Sequence, residues 1–212
     1  MSSESNDQNK LSSVASPVPQ VKHHAAGNLT GELRKVKDLA ADYHNLTMKW
    51  NNLNSQGMDI ITKIANIKID KVFNVEKDPD SETHTDLPLE LNPLCDALSD
   101  IVDAMSRVES KLEHKAKIAE GLLSLQKYQR SASSSPVLFS TMTLEDVVNT
   151  VKEIHQYFGQ ELKLKRELCR QLAHAGSRDV MMFYSTCWLH QPYLQAGWED
   201  QLQALLSETG HV

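Results

Sequence analysis

Apolar side chains recur from Leu29 to Ile67 at alternating spacings of three and four residues, with polar side chains between them. A sustained seven-residue repeat of this kind places two lines of apolar side chains on one stripe of a long helix. At a rise of ~1.5 Å per residue the helix would be about 60 Å long, so the stripe has to be buried against other long helices. One line is Leu29, Val36, Tyr43, Trp50 and Ile64, the other is Leu39, Leu46, Leu53, Ile60 and Ile67, and Gly57 is the one clear vacancy.

Two later segments show the same alternation and predict two more long helices. Asn92 followed by Pro93 predicts the start of the second helix, which runs to about residue 130 and is interrupted by Lys115. Thr143 with Asp146 resembles a capping box that opens the third helix. The second stripe is Leu94, Leu98, Ile101, Met105, Val108, Leu112, Ala119 and Leu122, and the third is Leu144, Val147, Val151, Ile154, Phe158, Leu162, Leu168 and Leu172.

The last part of the chain predicts two short helices. Ser177 can cap a helix that runs through Trp188, residues 190–193 break it, and a second short helix runs from Trp198 to Ser207. The sequence therefore predicts an all-α fold, an elongated antiparallel helical bundle or coiled coil of three long helices with a short C-terminal helical hairpin. The predicted segments are a disordered tail (1–28), a heptad helix (29–74), an acidic linker (75–91), a second heptad helix (92–130), a Ser/Pro linker (131–142), a third helix (143–176) and the hairpin (177–212).

Composition and charge indicate the fold class, the cellular location and the classes of partner that we expect. A hydrophobic content of 40% with only 8 glycines and 7 prolines fits a mostly helical protein. No stretch has the ~18 consecutive apolar residues of a membrane span, so we expect no membrane and a place in the cytosol or nucleus, with Cys95, Cys169 and Cys187 as free thiols. Most of the net charge of −6 lies between residues 75 and 91, and no strongly basic face is evident, which argues against nucleic acid as the main partner.

Two groups of aromatic residues are candidates for partner binding. Tyr43 and Trp50 occupy stripe positions, where large side chains pack into a core or anchor a helix from a partner that completes the bundle. Trp188, His190, Pro192 and Tyr193 belong to the segment Trp-Leu-His-Gln-Pro-Tyr, which closes the end of the bundle or forms a docking surface. The sequence leaves both alternatives open for each group.

The sequence offers little chemistry. Cys187 and His190 lack an orienting third group and an oxyanion motif, so we expect no catalytic residues and no enzyme. None of the nine histidines stands in a zinc-binding pattern and no phosphate loop occurs, so we expect no metal and no cofactor. The basic run Lys163, Lys165, Arg166 and Arg170 is interpreted as charges that favour a helix C-terminus.

Two dipeptides are minimal sites for proline-directed kinases. Ser16 precedes Pro17 and Ser135 precedes Pro136, both in segments predicted to be linkers or tails. A phosphate there would add about −2 of charge without disturbing a core.

Several blocks between about residues 36 and 211 have unusual residue combinations. They are Ala40-Ala41-Asp42-Tyr43-His44-Asn45-Leu46 with Lys49-Trp50, Ile64-Ala65-Asn66-Ile67-Lys68-Ile69, Glu161-Leu162 with Leu164-Lys165-Arg166, Leu172-Ala173-His174, Trp-Leu-His-Gln-Pro-Tyr at 188–193, and Glu208-Thr209-Gly210-His211. The segment at 188–193 is the most specific of them, because no generic coiled coil would supply these residues. In this order the blocks resemble the cyclin-dependent kinase 2-interacting protein family.

The resemblance implies a non-enzymatic nuclear adaptor, with some of the protein in the cytosol. It implies binding to a cyclin-dependent kinase, to another origin-firing kinase and to the partner protein of a checkpoint kinase. It also implies assembly with a pair of AAA-type ATPases and a second small helical protein, in DNA replication, DNA damage repair and large ribosomal subunit maturation. The alternative hypothesis is a purely structural coiled-coil subunit of a tethering or cytoskeletal complex.

Overall fold

A computed structural model describes residues 31–73, 87–129 and 138–211. All regular elements of this part are helical, which confirms the all-α prediction. The predicted tail and most of the acidic and Ser/Pro linkers lie outside the described residues, as do Ser16 and Ser135. The helices are α1 (Glu32–Lys68, continued by a π-helical turn Ile69–Phe73), α2 (Leu91–Gln129), α3 (Leu144–Gln171, continued by a 3-10 turn Leu172–His174), α4 (Arg178–His190) and α5 (Trp198–Thr209).

The three long helices alternate in direction. Tyr43 of α1 reaches Leu112 of α2, and Lys71 beyond α1 pairs with Glu90 before α2, so these two helices are antiparallel. Lys127 near the end of α2 pairs with Glu145 at the start of α3, which returns along α2. The short helices α4 and α5 both pack on α1 and α3 and fill the fourth position of the bundle. In the described part of the chain, its own helices therefore occupy all four positions of the core.

The predicted C-terminal hairpin is wrong in its geometry. The helices α4 and α5 lie end to end along α1 instead of folding back on each other. Both helices have apolar stripes, and both stripes are needed to cover the same core between α1 and α3. The buried residues of the two helices are Met181 and Trp188 in α4, and Trp198, Leu202, Leu205, Leu206 and Thr209 in α5.

The buried stripe of α1 differs from the predicted one in its second line. Leu46, Ile60 and Ile67 are half-buried, whereas the residue after each of them is fully buried. The helix has α2 on one side and α4 with α5 on the other, so its buried stripe is displaced toward positions that include polar residues. The observed lines are Val36, Tyr43, Trp50, Gly57 and Ile64, and Ala40, Thr47, Asn54, Ile61 and Lys68; Leu39 and Leu53 are also buried.

Two lysines that do not fit an apolar pattern have specific partners. Lys115, which interrupts the stripe of α2, forms an ion pair with Asp42 of α1. Lys68 is 1% exposed, and its ammonium donates hydrogen bonds to the carbonyl oxygens of Ala173 and, at 2.7 Å, Ala175. Because a helix C-terminus presents unsatisfied carbonyl groups and a partial negative charge, Lys68 acts as a cap on α3 from another helix.

The start of α2 is earlier than predicted. The helix begins at Leu91, so Asn92 and Pro93 lie in its first turn instead of at its cap. A turn before the helix is already hydrogen-bonded, from the Leu91 amide to the carbonyl of Pro88 at 2.9 Å. Leu91, the first residue of the helix, is 1% exposed.

The capping box of α3 is confirmed, and its removal gives a testable result. The Asp146 amide donates to Oγ1 of Thr143 at 3.2 Å, and the Thr143 amide donates to Oδ2 of Asp146 at 2.8 Å. We expect Thr143→Ala to lower the free energy of unfolding by about 1 kcal/mol, because it orphans a donor of the first turn. Urea unfolding measures this, with the nearby exposed Ser140→Ala as control; equal stability of the two variants would contradict the prediction.

Candidate functional site

The fourth position of the bundle is interrupted between α4 and α5. Gln191 follows α4 in the left-handed conformation, with φ 47° and ψ 64°, and Pro192 follows it. A left-handed residue ends a helix, and proline has no amide hydrogen to continue one. The interruption, residues 191–197, lies beside the middle of α1, and we call it the break.

Aromatic rings from three helices pack beneath the break. Trp50 of α1 meets Phe158 of α3 edge to face, with ring centroids 5.0 Å apart. Phe158 in turn meets Trp198, the first residue of α5, at 5.2 Å. The indole nitrogen of Trp50 donates a hydrogen bond to Oε1 of Gln191 at 2.7 Å. Trp50 therefore supports the residue whose unusual backbone conformation ends α4.

Trp188 fills the vacancy at Gly57. The indole is fully buried and lies on the backbone of α1; a Cβ atom at Gly57 would overlap its Cζ2 atom and lie 2.8 Å from Cε2. The indole nitrogen donates to the carbonyl oxygen of Asn54 at 3.0 Å. The gap in the heptad pattern is thus a socket for an aromatic side chain more than 130 residues away.

A buried lysine lies against the same indole. Nζ of Lys165 on α3 is 4.4 Å from the ring centroid of Trp188, a cation–π contact. The ammonium donates to Oδ1 of Asn54 at 2.7 Å and to the carbonyl oxygen of Trp188. Its side chain is fully buried, and burial lowers the pKa of Lys165 to about 8. One cation therefore joins α1, α3 and the end of α4.

Glu161 supplies the negative charge and reaches the break itself. Its Oε1 atom lies 3.2 Å from Nζ of Lys165, four residues later on α3. Its Oε2 atom accepts a hydrogen bond from the Tyr193 amide at 3.0 Å. Burial raises the pKa of Glu161, and the charge of Lys165 opposes that rise. The two side chains are buried from solvent. Their ion pair and their hydrogen bonds hold the break in position.

The outer side of the break and of α4 is open to solvent. His190 and Pro192 are exposed, and Tyr193 keeps 47% of its surface accessible. Three large apolar side chains of α4 are more than half exposed: Met182 (59%), Phe183 (63%) and Leu189 (51%). We call Met182, Phe183, Leu189, Pro192 and Tyr193 the outer face. Exposed apolar surface of this kind commonly marks a site of protein–protein contact.

The six residues predicted to bind partners divide into two sets. Tyr43, Trp50 and Trp188 are fully buried, and the hydroxyl of Tyr43 lies 3.0 Å from the carbonyl oxygens of Leu112 and Val151. His190, Pro192 and Tyr193 are exposed at the break. Partner binding stays a prediction for all six; in this fold the first three act on it only through the structure they support.

The sequence interpretation missed the buried charges. Lys165 was interpreted with the basic run as a charge that favours a helix C-terminus, but it is buried in the bundle, whereas Lys163, Arg166 and Arg170 are exposed. A signal was present, because Glu161 and Lys165 are four residues apart and fall on the apolar stripe between Phe158 and Leu168. An opposite-charge pair inside a buried stripe predicts a buried ion pair.

Other chemistry is limited in the described part of the chain. Across residues 31–73, 87–129 and 138–211, no group of three or more His, Cys, Asp or Glu side chains could hold a metal ion. None of the described helices is long and apolar enough to cross a bilayer. The three cysteines are free thiols, and burial raises the pKa of Cys95 and of Cys169.

Characterised proteins that share one name are similar to this chain over most of its length. It is 34% identical over 194 residues to the cyclin-dependent kinase 2-interacting protein of Bos taurus, covering 86% of this chain and 92% of that protein. The Homo sapiens protein of the same name is 33% identical over 194 residues, with the same coverage. The Xenopus laevis protein is 33% identical over 189 residues, covering 86% and 91%. The chain matches no protein-family model.

Proposed function

The chain belongs to the cyclin-dependent kinase 2-interacting protein family, and from that premise we propose that it is an adaptor that binds a cyclin-dependent kinase. The name of the relatives describes an interaction and no reaction. The adaptor binds by presenting a rigid apolar surface to its partner and performs no chemistry itself. Binding of the kinase is measured with purified proteins.

The outer face is the observation that supports this proposal most directly. Its apolar side chains are exposed although the core beneath them is complete, and no helix among residues 31–73, 87–129 and 138–211 covers them. Aromatic and large aliphatic side chains on a rigid support bind with little loss of conformational freedom. The buried pair Glu161–Lys165 and the indole of Trp188 supply that rigidity from below.

The wider role follows from the resemblance and is part of the same proposal. The adaptor also binds another origin-firing kinase and the partner protein of a checkpoint kinase, and it acts mainly in the nucleus. It assembles with a pair of AAA-type ATPases and a second small helical protein. The assembly acts in DNA replication, DNA repair and maturation of the large ribosomal subunit. In each case the adaptor positions an enzyme and leaves the reaction to it.

A charge placed on the outer face tests the binding surface. We expect Leu189→Asp to weaken binding to a purified cyclin-dependent kinase–cyclin complex by about tenfold or more, because a carboxylate would be desolvated in the interface. Leu189 is 51% exposed, so the variant keeps its fold and its unfolding midpoint. Isothermal titration calorimetry measures the affinity.

The matched control is Leu125→Asp on α2, since Leu125 is exposed to a similar extent (46%) outside the outer face. Equal affinities for the two variants would contradict a role for the outer face. A tagged chain recovered from nuclear extract without any kinase or ATPase would favour the alternative, a purely structural coiled-coil subunit.

A further inference from the structure

We propose that the groove between α1 and α2 is a phosphate-binding site that receives phosphorylated Ser16 from the chain's own N-terminal segment. The groove has a volume of about 560 Å³ and is lined by Lys49 of α1 and by Arg107, Lys111 and His114 of α2. This volume is in the ~300–1,000 Å³ range of ligand sites. The ligand class is a phosphomonoester on a peptide.

The charged side chains that line the groove are all basic. Arg107, Lys111 and His114 follow one face of α2 at spacings of four and three, and Lys49 faces them from α1. None of the described acidic side chains lines the groove. Among the described residues, none of the four has an ion pair or a hydrogen-bond partner for its side chain. A concentration of unpaired positive charge in a chain of net charge −6 attracts an anion.

The chain length outside the described helices decides which segment can reach the groove. Lys49 is 18 residues into the helix from Gly31, a distance of ~27 Å along the axis. Ser16 is 15 residues before Gly31 and can be as far as ~50 Å from it. The N-terminal segment is therefore long enough, with slack, to place Ser16 at the groove.

The other two segments are too short. Ser135 is three residues from Leu138, or at most ~10 Å, and Leu138 is hydrogen-bonded beside the start of α3, at the far end of α2. Lys111 is ~27 Å from that end. Asp80 is the midpoint of the acidic linker, seven residues from both Phe73 and Leu87, so it can lie at most ~23 Å from Phe73. Lys49 in the groove is ~36 Å from Phe73 along α1, which is beyond that reach.

Phosphorylation makes the N-terminal segment complementary to the groove. Residues 1–30 contain two acids (Glu4 and Asp7) and two lysines (Lys10 and Lys22), so the side chains of the unmodified segment have no net charge that would attract the segment to the groove. A proline-directed kinase transfers the γ-phosphoryl group of a nucleoside triphosphate to Oγ of Ser16, releasing the hydroxyl proton and the nucleoside diphosphate. The phosphate adds about −2 of charge and three acceptor oxygens, which Arg and Lys bind well.

The first test uses a fluorescent peptide of residues 9–24 with phosphate on Ser16, titrated into the full unphosphorylated chain. We expect saturable binding that weakens with salt and that falls about tenfold or more in Arg107→Ala/Lys111→Ala. The control is Lys35→Ala/Lys63→Ala, which removes two exposed lysines of α1 outside the groove and should bind as the parent does. Equal affinity for the two double variants would overturn the site.

The second test separates binding within one chain from binding between chains. Full-length protein carrying phosphate on Ser16, installed by joining a synthetic segment, should no longer bind the peptide, because its own segment occupies the groove. Protein carrying phosphate on Ser135 should bind it normally. If phosphorylation of Ser16 leaves peptide binding unchanged, the groove serves a different phosphorylated chain and the proposed occupant is wrong.

Discussion

Gly57→Ala is expected to lower the free energy of unfolding by about 1–3 kcal/mol and to displace Trp188 from its socket. A Cβ atom at this position would overlap the indole, and the atom it meets belongs to a rigid ring instead of the end of a flexible chain. The indole can yield only by moving away from α1. That movement would break its hydrogen bond to the carbonyl of Asn54 and its contact with Lys165.

Gly121→Ala is the matched control for this change. Gly121 lies in α2, and a Cβ atom there meets nothing within 4 Å. Alanine is the better helix former, so the control should be neutral or more stable by up to about 1 kcal/mol. Urea unfolding compares the two, and the change in tryptophan fluorescence that is absent from the Trp188→Phe background reports the displacement. Two variants that shift stability equally would mean that the indole does not occupy the socket.

A second background makes the test specific. Replacing Trp188 with Phe shortens the side chain and leaves space above Gly57. In that background Gly57→Ala should cost less than it does in the parent, a coupling that double-mutant cycles detect between residues in contact.

Breaking the buried ion pair is expected to have the largest effect, a loss of about 3–5 kcal/mol for Glu161→Gln. The glutamine keeps the shape of the side chain and can still accept from the Tyr193 amide. It leaves the ammonium of Lys165 fully buried with no opposing charge. Removing one partner of a buried pair is costly because the other charge has been taken out of water without compensation.

Lys165→Met is the complementary change, and it predicts a dependence on pH. Burial raises the pKa of Glu161 above its ordinary 4.5, and loss of Lys165 removes a charge that opposes the rise. An acid with a raised pKa in the folded state adds stability below its unfolded pKa and loses it as pH rises through the folded value. The variant should therefore fall further behind the parent at about pH 7 than at about pH 5.

The double variant Glu161→Gln/Lys165→Met provides the control. With both charges removed it should recover most of the stability lost by either single change. Denaturant unfolding at both pH values measures all four proteins. If the two single effects simply add, or if the cost of Lys165→Met is the same at both pH values, the pair does not act as a buried salt bridge.

The sequence predicted the helices because their apolar periodicity is local. The eight apolar residues predicted for the stripe of α3 are all buried and its capping box is confirmed, since both patterns depend on neighbours three or four residues away. In the second line of α1, Leu39 and Leu53 are buried, but Leu46, Ile60 and Ile67 were each placed one residue before a buried position. The buried positions of α1 include the polar residues Thr47, Asn54 and Lys68. Two of these have hydrogen-bond partners more than 100 residues away, which no local pattern contains.

The site was predicted only in its location. The segment around Trp188 was recognised by its unusual residue types, but its contacts depend on Gly57 and Lys165 in other helices. A glycine in a heptad stripe indicates missing volume and does not say which ring fills it. The end-to-end course of α4 and α5 was missed for the same reason: a short break fits a hairpin or a continued line, and only packing on α1 and α3 decides between them.

Amide hydrogen exchange of the purified chain, alone and with a purified cyclin-dependent kinase–cyclin complex, shows directly which surface binds the kinase. We expect the complex to slow exchange in α4 and the break, residues 180–195, and to leave the exposed side of α2 near Leu125 unchanged. Protection confined to other helices, with α4 and the break unaffected, would contradict the claim that this surface binds the kinase.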